Sequence, residues 1–158
     1  MGSMHITLMH EEQLSLGEEQ NAIVRTLLLR NQAEPFAPMR EIIQLYYDGW
    51  PDFGTPVEAM CIASLIKILN DVISSRGSGK NGPVVVHCSA GCGRTGTFCT
   101  VDTVIRYLDS GNDSGDEDII YRNVLEMRKQ RMSMVQTLRQ YVLCYESVLY
   151  YLLNKASG

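Results

Sequence analysis

No apolar stretch in this sequence approaches the roughly 18–20 residues that a membrane span requires, and residues 1–10 lack the basic and apolar regions of a secretory leader. A cytoplasmic chain is therefore expected, with the nucleus as the other compartment these absences allow. There is no low-complexity tract and no internal repeat. With 45% apolar and 20% charged residues and a mean hydropathy of −0.08, the composition is that of an ordinary globular domain rather than a disordered or fibrous one. Positive charge is not in excess: 14 Lys and Arg face 18 Asp and Glu, a net charge of −4. No global field gathers nucleic acid or acidic lipid, so any bound anion must be held by a local site. The five cysteines, Cys61, Cys88, Cys92, Cys99 and Cys144, are odd in number and scattered through apolar segments. They form no disulfide framework and suit a reducing compartment. At 158 residues the chain has the length of one domain, and a single domain over 1–158 is expected. Met1-Gly2-Ser3 reads as a cloning remnant.

Short runs rich in Ile, Val, Leu and Tyr at 6–9, 22–29 and 41–47 predict three strands. Thr55-Pro56-Val57-Glu58 has the form of a capping box with proline at the first helical position, predicting a helix to about Ile73. Its apolar face carries Ile62, Leu65, Ile66, Leu69, Val72 and Ile73. After a flexible loop at 74–82, Pro83-Val84-Val85-Val86-His87 predicts a buried central strand. A glycine-containing loop follows, then a helix from about Thr95 that turns Phe98, Val101, Val104 or Ile105, and Leu108 inward. An acidic linker at 110–117 precedes helical patterns at 118–130 and 137–153. The fold class is α/β, a central mixed sheet flanked by helices, with a phosphate-binding loop between a buried strand and a helix N-terminus.

That loop, Cys88-Ser89-Ala90-Gly91-Cys92-Gly93-Arg94, carries the chemistry. A strand feeding such a loop into a helix N-terminus aims backbone N–H groups and the helix dipole at one point, an anion site. Arg94 adds a planar fork able to grip two oxygens of a tetrahedral oxyanion. A thiol in that setting falls to roughly 3.5–7.5, so Cys88 is expected as a thiolate, a nucleophile at phosphorus. Cys61, Cys99 and Cys144 read as small core residues. Cys88 and Cys92 lack a second pair at zinc spacing, so no metal is expected.

His87-Cys88-Ser89-Ala90-Gly91-Cys92-Gly93-Arg94-Thr95-Gly96 resembles the signature of the protein tyrosine phosphatases. Trp50-Pro51-Asp52-Phe53-Gly54 resembles that family's mobile acid loop, Gln136-Thr137 with Gln140 its glutamine loop, and residues 125–132 its basic segment. The resemblance runs from about Ile6 to Leu153. It implies that Cys88 attacks phosphorus to form a phosphocysteine, that Arg94 and the amides of Ser89, Ala90, Gly91, Cys92 and Gly93 hold the phosphoryl group, and that Asp52 protonates the leaving oxygen. It further implies that Gln136 and Gln140 position the hydrolytic water, that the Thr95 hydroxyl stabilises the departing thiolate, and that Phe53 meets substrate. Supporting roles fall to His87, Trp50, Arg128 and Arg131. Phosphotyrosine-containing proteins are the implied partners, and no metal or organic cofactor is implied.

The family's domains are longer, and the resemblance begins partway through them. The front portion, with its tyrosine-bearing recognition loop, has no counterpart here. Two outcomes stay open: a piece of a longer enzyme, or a compact enzyme that completes its pocket otherwise. Surface left uncovered by that portion would suit a homodimer. A dual-specificity phosphatase with a shallower pocket and a phosphotyrosine-binding fragment without turnover are the competing readings. A phosphoinositide phosphatase is disfavoured because no lysine lies between Cys88 and Arg94.

Overall fold

The computed structural model describes residues 4–18, 20–56, 58–76, 82–112 and 115–156, in two compact units, Met1–Gly49 and Trp50–Gly158. Met1-Gly2-Ser3, Val57 of the expected capping box, 77–81 of the glycine-rich loop and 113–114 of the acidic linker lie outside the described residues.

The first unit is a three-stranded antiparallel sheet in the order β1-β2-β3, formed by Met4–Gly17, Gln20–Asn31 and Arg40–Tyr46. The apolar runs mark all three strands, but β1 is 14 residues long rather than four. Its polar half, His10 to Gln13, pairs with Ile23 to Thr26, because the β2 ladder continues where the apolar pattern of β1 stops. Glu11, Arg25 and Gln44 stand directly opposite one another across the three strands. Arg25 Nε donates to Glu11 Oε2 at 2.5 Å and its Nη1 to Gln44 Oε1 at 3.2 Å, while its guanidinium lies 5.1 Å from the centre of the Tyr46 ring. This row fixes register more than it adds stability, since partly exposed ion pairs contribute only about 0–1 kcal/mol. Leu16, Ala22 and Val24 are the buried apolar residues of the unit.

The second unit holds four helices: α1 Met60–Ser75, α2 Gly93–Asp109, α3 Ile119–Gln130 and α4 Leu138–Ala156. Ile62, Leu65 and Ile66 of α1, Val101, Val104 and Ile105 of α2, Ile120 and Val124 of α3, and Leu143 and Val148 of α4 are buried. At about 1.5–3 kcal/mol for each fully buried aliphatic side chain, this apolar core is the largest favourable contribution in the unit. Asp118 caps α3, accepting the Tyr121 N–H at 2.9 Å. Cys61 and Cys144 are buried and Cys99 is half-buried, in keeping with their reading as core residues.

Three expectations are corrected. The capping box does not form: α1 begins at Met60 with Ala59 at its N-cap and no side-chain cap. Tertiary contacts rather than local capping chemistry set the chain's path into Thr55: the Gly54 carbonyl accepts from Trp50 Nε1 at 2.9 Å and from Gln140 Nε2 at 3.3 Å. Residues 83–87 are not a buried strand; they lack strand pairing, and Val84 and Val85 are 52% and 80% exposed. A strand apolar on both faces needs a ladder partner on each side to be buried, and among the described residues it has none. The sheet is accordingly antiparallel with three strands, not mixed. The α/β class stands.

Around the helix α2 N-terminus the packing leaves no room for side chains at two glycines. A Cβ on Gly96 would lie 2.5 Å from Val135 N and 3.0 Å from Met134 C, both backbone atoms that cannot swing aside. Gly96→Ala should therefore push the 133–136 turn off the helix and cost about 1–3 kcal/mol of stability in urea unfolding. An alanine variant as stable as the parent would mean that the turn does not depend on this approach.

Candidate active site

All the site residues singled out above lie in the second unit. Cys88 opens the loop and Cys92 stands at the N-cap of α2 without a side-chain cap, leaving the N–H groups of the first turn to another acceptor. That acceptor is the Cys88 sulfur. Gly91, whose φ of +67° turns the chain back, donates its N–H to Cys88 Sγ at 3.2 Å. Partial burial pushes the Cys88 thiol up, but the Thr95 hydroxyl and the backbone N–H groups of Thr95, Cys92 and Gly91 outweigh it and bring the thiol down to about 7. Among the described residues the buried Thr95 hydroxyl has no partner at full hydrogen-bonding geometry, so its approach to the sulfur is loose. At Cys144 burial outweighs a backbone hydrogen bond and pushes the thiol up to about 12, and burial with the nearby Asp102 carboxylate raises Cys99.

Arg94 ties two loops together. Its Nη1 donates to the Trp50 carbonyl at 2.8 Å, and its Nη2 donates to Ser89 Oγ at 2.7 Å and forms an ion pair with Asp52 Oδ1. The Ser89 hydroxyl in turn donates to Asp52 Oδ1 at 2.7 Å. Trp50 is buried and donates Nε1 to the Gly54 carbonyl across the short turn that Gly54 N closes on Pro51 O. Phe53, at φ +59°, is 69% exposed at the rim.

The floor comes from the 133–136 turn and the start of α4. A Cβ on Gly93 would meet Gln136 Oε1 at 2.7 Å and Gln140 Oε1 at 2.9 Å, so both glutamines rest on that glycine. Gln140 is fully buried and engaged at both ends: Oε1 accepts from Gln136 N at 3.0 Å and Nε2 donates to Gly54 O. Gln136 is exposed. Ser133 and Val135 hold positive φ, unusual for a β-branched residue, and Arg128 secures them by donating to Met134 O at 2.9 Å and Val135 O at 2.7 Å. Val135 N donates to Cys92 O at 3.3 Å, and Arg131 donates to Ala90 O at 3.0 Å. Lys129 pairs only with Glu126 on the solvated face.

Asp52, Phe53, Cys88, Ser89, Ala90, Gly93, Arg94, Gln136 and Gln140 thus line one cavity of about 90 Å³. That is the space of about three water molecules at ~30 Å³ each, suited to a tetrahedral oxyanion rather than to a whole aromatic ester. Trp50, Thr95, Arg128 and Arg131 surround it. In contrast to its implied support of the loop, His87 is exposed, and no hydrogen bond joins it to the loop among the described residues. Sequence reasoning missed two contributors: the Ser89 hydroxyl as a bridge between Asp52 and Arg94, and the Gly54 carbonyl as the point where Trp50 and Gln140 meet. Only the glycine at 54 hinted at the second.

Residues 1–150 match the protein-tyrosine phosphatase family. Tyrosine-protein phosphatase 3 of Dictyostelium discoideum is 42% identical over 129 residues, covering 79% of this chain and 13% of that protein. Human receptor-type tyrosine-protein phosphatase alpha is 36% identical over 151 residues, covering 96% of this chain and 17% of the relative. The crystal structure of the catalytic domain of human protein tyrosine phosphatase non-receptor type 18 superposes with a TM-score of 0.79 at 37% identity, over 95% of this chain and 49% of that one. The chain belongs to the protein-tyrosine phosphatase family. It spans about half of that solved catalytic domain and a smaller share of the two relatives. No helix among the described residues is long and apolar enough to cross a membrane.

The Cys88 environment makes its reactivity titrate. The thiol is protonated below its pKa and becomes thiolate above it, so alkylation by iodoacetamide should rise with pH and reach half its plateau near pH 7. Thr95→Ala removes a lowering influence and should move the midpoint upward. Mass spectrometry of the adduct distinguishes Cys88 from the other four thiols; a midpoint at the ordinary thiol value would contradict the assignment.

Proposed function

We propose that this chain hydrolyses phosphotyrosine in proteins through a phosphocysteine intermediate. The observation that carries the reading is the convergence of Cys88, Arg94 and Asp52 on one phosphate-sized cavity. The phosphoryl group enters the loop, where the backbone N–H groups and the Arg94 fork meet its equatorial oxygens. Cys88 Sγ attacks phosphorus; the S–P bond forms as the bond to the phenolic oxygen breaks, and Asp52 delivers a proton to that oxygen. Water then attacks the phosphocysteine, Asp52 takes its proton, and the thiolate departs towards the N–H groups and the Thr95 hydroxyl. Resting pairing between Asp52 and Arg94 has to yield when substrate arrives, because the guanidinium serves both anions in turn.

Of the two glutamines, Gln136 is the better placed to orient the water. It lines the cavity and is exposed, whereas the Gln140 amide is already committed at both ends. Gln140 holds the loops together instead. The chemistry described draws on the chain's own side chains and needs no metal or organic cofactor, and the substrates would be phosphotyrosine-containing proteins.

Steady-state hydrolysis of a phosphotyrosine peptide tests this. Cys88→Ser should abolish turnover, and Asp52→Ala should lower kcat by about 10²–10⁴-fold, the usual contribution of a positioned general acid. A matched phosphoserine peptide hydrolysed far more slowly would support phosphotyrosine as the substrate; equal rates would favour a dual-specificity enzyme. Folded protein that binds phosphotyrosine without turning it over would favour a binding fragment.

A further inference from the structure

We infer that Ser89 is the positioning residue that keeps the acid Asp52 docked once substrate has claimed Arg94. The inference rests on the reading of Asp52 as the proton donor and deepens it. Two groups hold the Asp52 carboxylate, the Ser89 hydroxyl and the Arg94 guanidinium. Both fall on Oδ1, and among the described residues no hydrogen bond falls on Oδ2. Asp52 is an acceptor in this arrangement, whereas protonating a leaving group requires it to be a donor. When a phosphoryl group takes the guanidinium, one anchor is lost, and at 61% exposure the side chain has little packing to hold it.

The Ser89 hydroxyl is the anchor that survives. It sits at 2.7 Å from both partners, accepting from Arg94 Nη2 and donating to Asp52 Oδ1. With Arg94 turned to phosphate, it still donates to Oδ1 and leaves Oδ2 to carry the proton towards the leaving oxygen. The loop that binds the phosphate thereby also holds the acid, so seating the first sets the second.

The test is kcat across aryl phosphates whose leaving phenols range from weakly to strongly acidic, for the parent chain, Ser89→Ala, Ser89→Thr and Asp52→Ala. An acid matters most to a poor leaving group, so Ser89→Ala should lose about tenfold on phenyl phosphate, the worth of one hydrogen bond to a charged group, and progressively less as the phenol becomes more acidic. Ser89→Thr, which keeps the hydroxyl, should recover most of the loss. A Ser89→Ala loss equal for every leaving group, or no loss, would overturn the inference while a steep dependence in Asp52→Ala left the function intact. A flat dependence in Asp52→Ala would overturn the acid assignment and the inference with it. A second measurement does not require turnover. Trp50, the only tryptophan, lies two residues from Asp52, and its emission reports the loop during titration with inorganic phosphate. Phosphate should change Trp50 emission more in Ser89→Ala than in the parent, because only the variant loses both anchors. Identical titrations would overturn the inference.

Discussion

The arrangement of this site depends on one guanidinium. Arg94 reaches the Trp50 carbonyl with one nitrogen and the Asp52 carboxylate and Ser89 hydroxyl with another, so the acid loop and the phosphate loop share a single planar group. A lysine ammonium is a point charge on a flexible stem and cannot hold a carbonyl and a carboxylate in fixed relation from two corners of one plane. The same fork matches the oxygens of a phosphoryl group. In the proposed reaction the phosphoryl group therefore displaces the Asp52 carboxylate from Arg94 rather than entering an empty site.

Beneath this sits a strained support. Positive φ at Ser133 and Val135 costs on the order of 1–3 kcal/mol each. Arg128 opposes that with two hydrogen bonds to the turn, each worth about 1.5–3 kcal/mol because the donor is charged. The two contributions are of similar size, so the turn is held without surplus. What settles its position is geometry: with hydrogen at Gly93 and Gly96, the glutamines and the Val135 amide can lie directly on the first turn of α2. Buried Gln140 then links that floor to Gly54, and the acid loop is braced from below as well as from the side.

How far the sequence could be read follows from how local each determinant is. The Cys88 to Gly96 loop, the Trp50 loop and the helical pattern of α3 are specified by neighbours in sequence, and they were legible, whereas the Asp118 cap of α3 was not singled out. Strand existence was legible too, because β2 and β3 are marked by their own apolar residues. The full extent of β1 was not: His10 to Gln13 are strand only because β2 lies beside them. Thr55-Pro56 has the chemistry of a helix start, yet contacts of Gly54 with Trp50 and with Gln140, 86 residues away, set the chain's path there, and the helix begins only at Met60. Val84 and Val85 carry β-branched side chains but find no ladder among the described residues, and strand propensity without a partner does not make a strand.

In the proposed reaction Cys88 and Asp52 share one small cavity, and their surroundings differ. Cys88 lies inside the ring of N–H groups, where negative charge on sulfur is met by donors already aimed at it. Asp52 lies at the exposed rim, its Oδ1 anchored by the Ser89 hydroxyl and the Arg94 guanidinium. A chain of net charge −4 has no long-range attraction for a phosphate ester to exploit. Recognition consequently falls to donors within hydrogen-bonding distance of the cavity, and those are the same donors that poise the sulfur. In the proposed reaction, occupying the site and activating Cys88 draw on one set of N–H groups, so the geometry of a single loop, rather than the charge of the whole molecule, would govern binding.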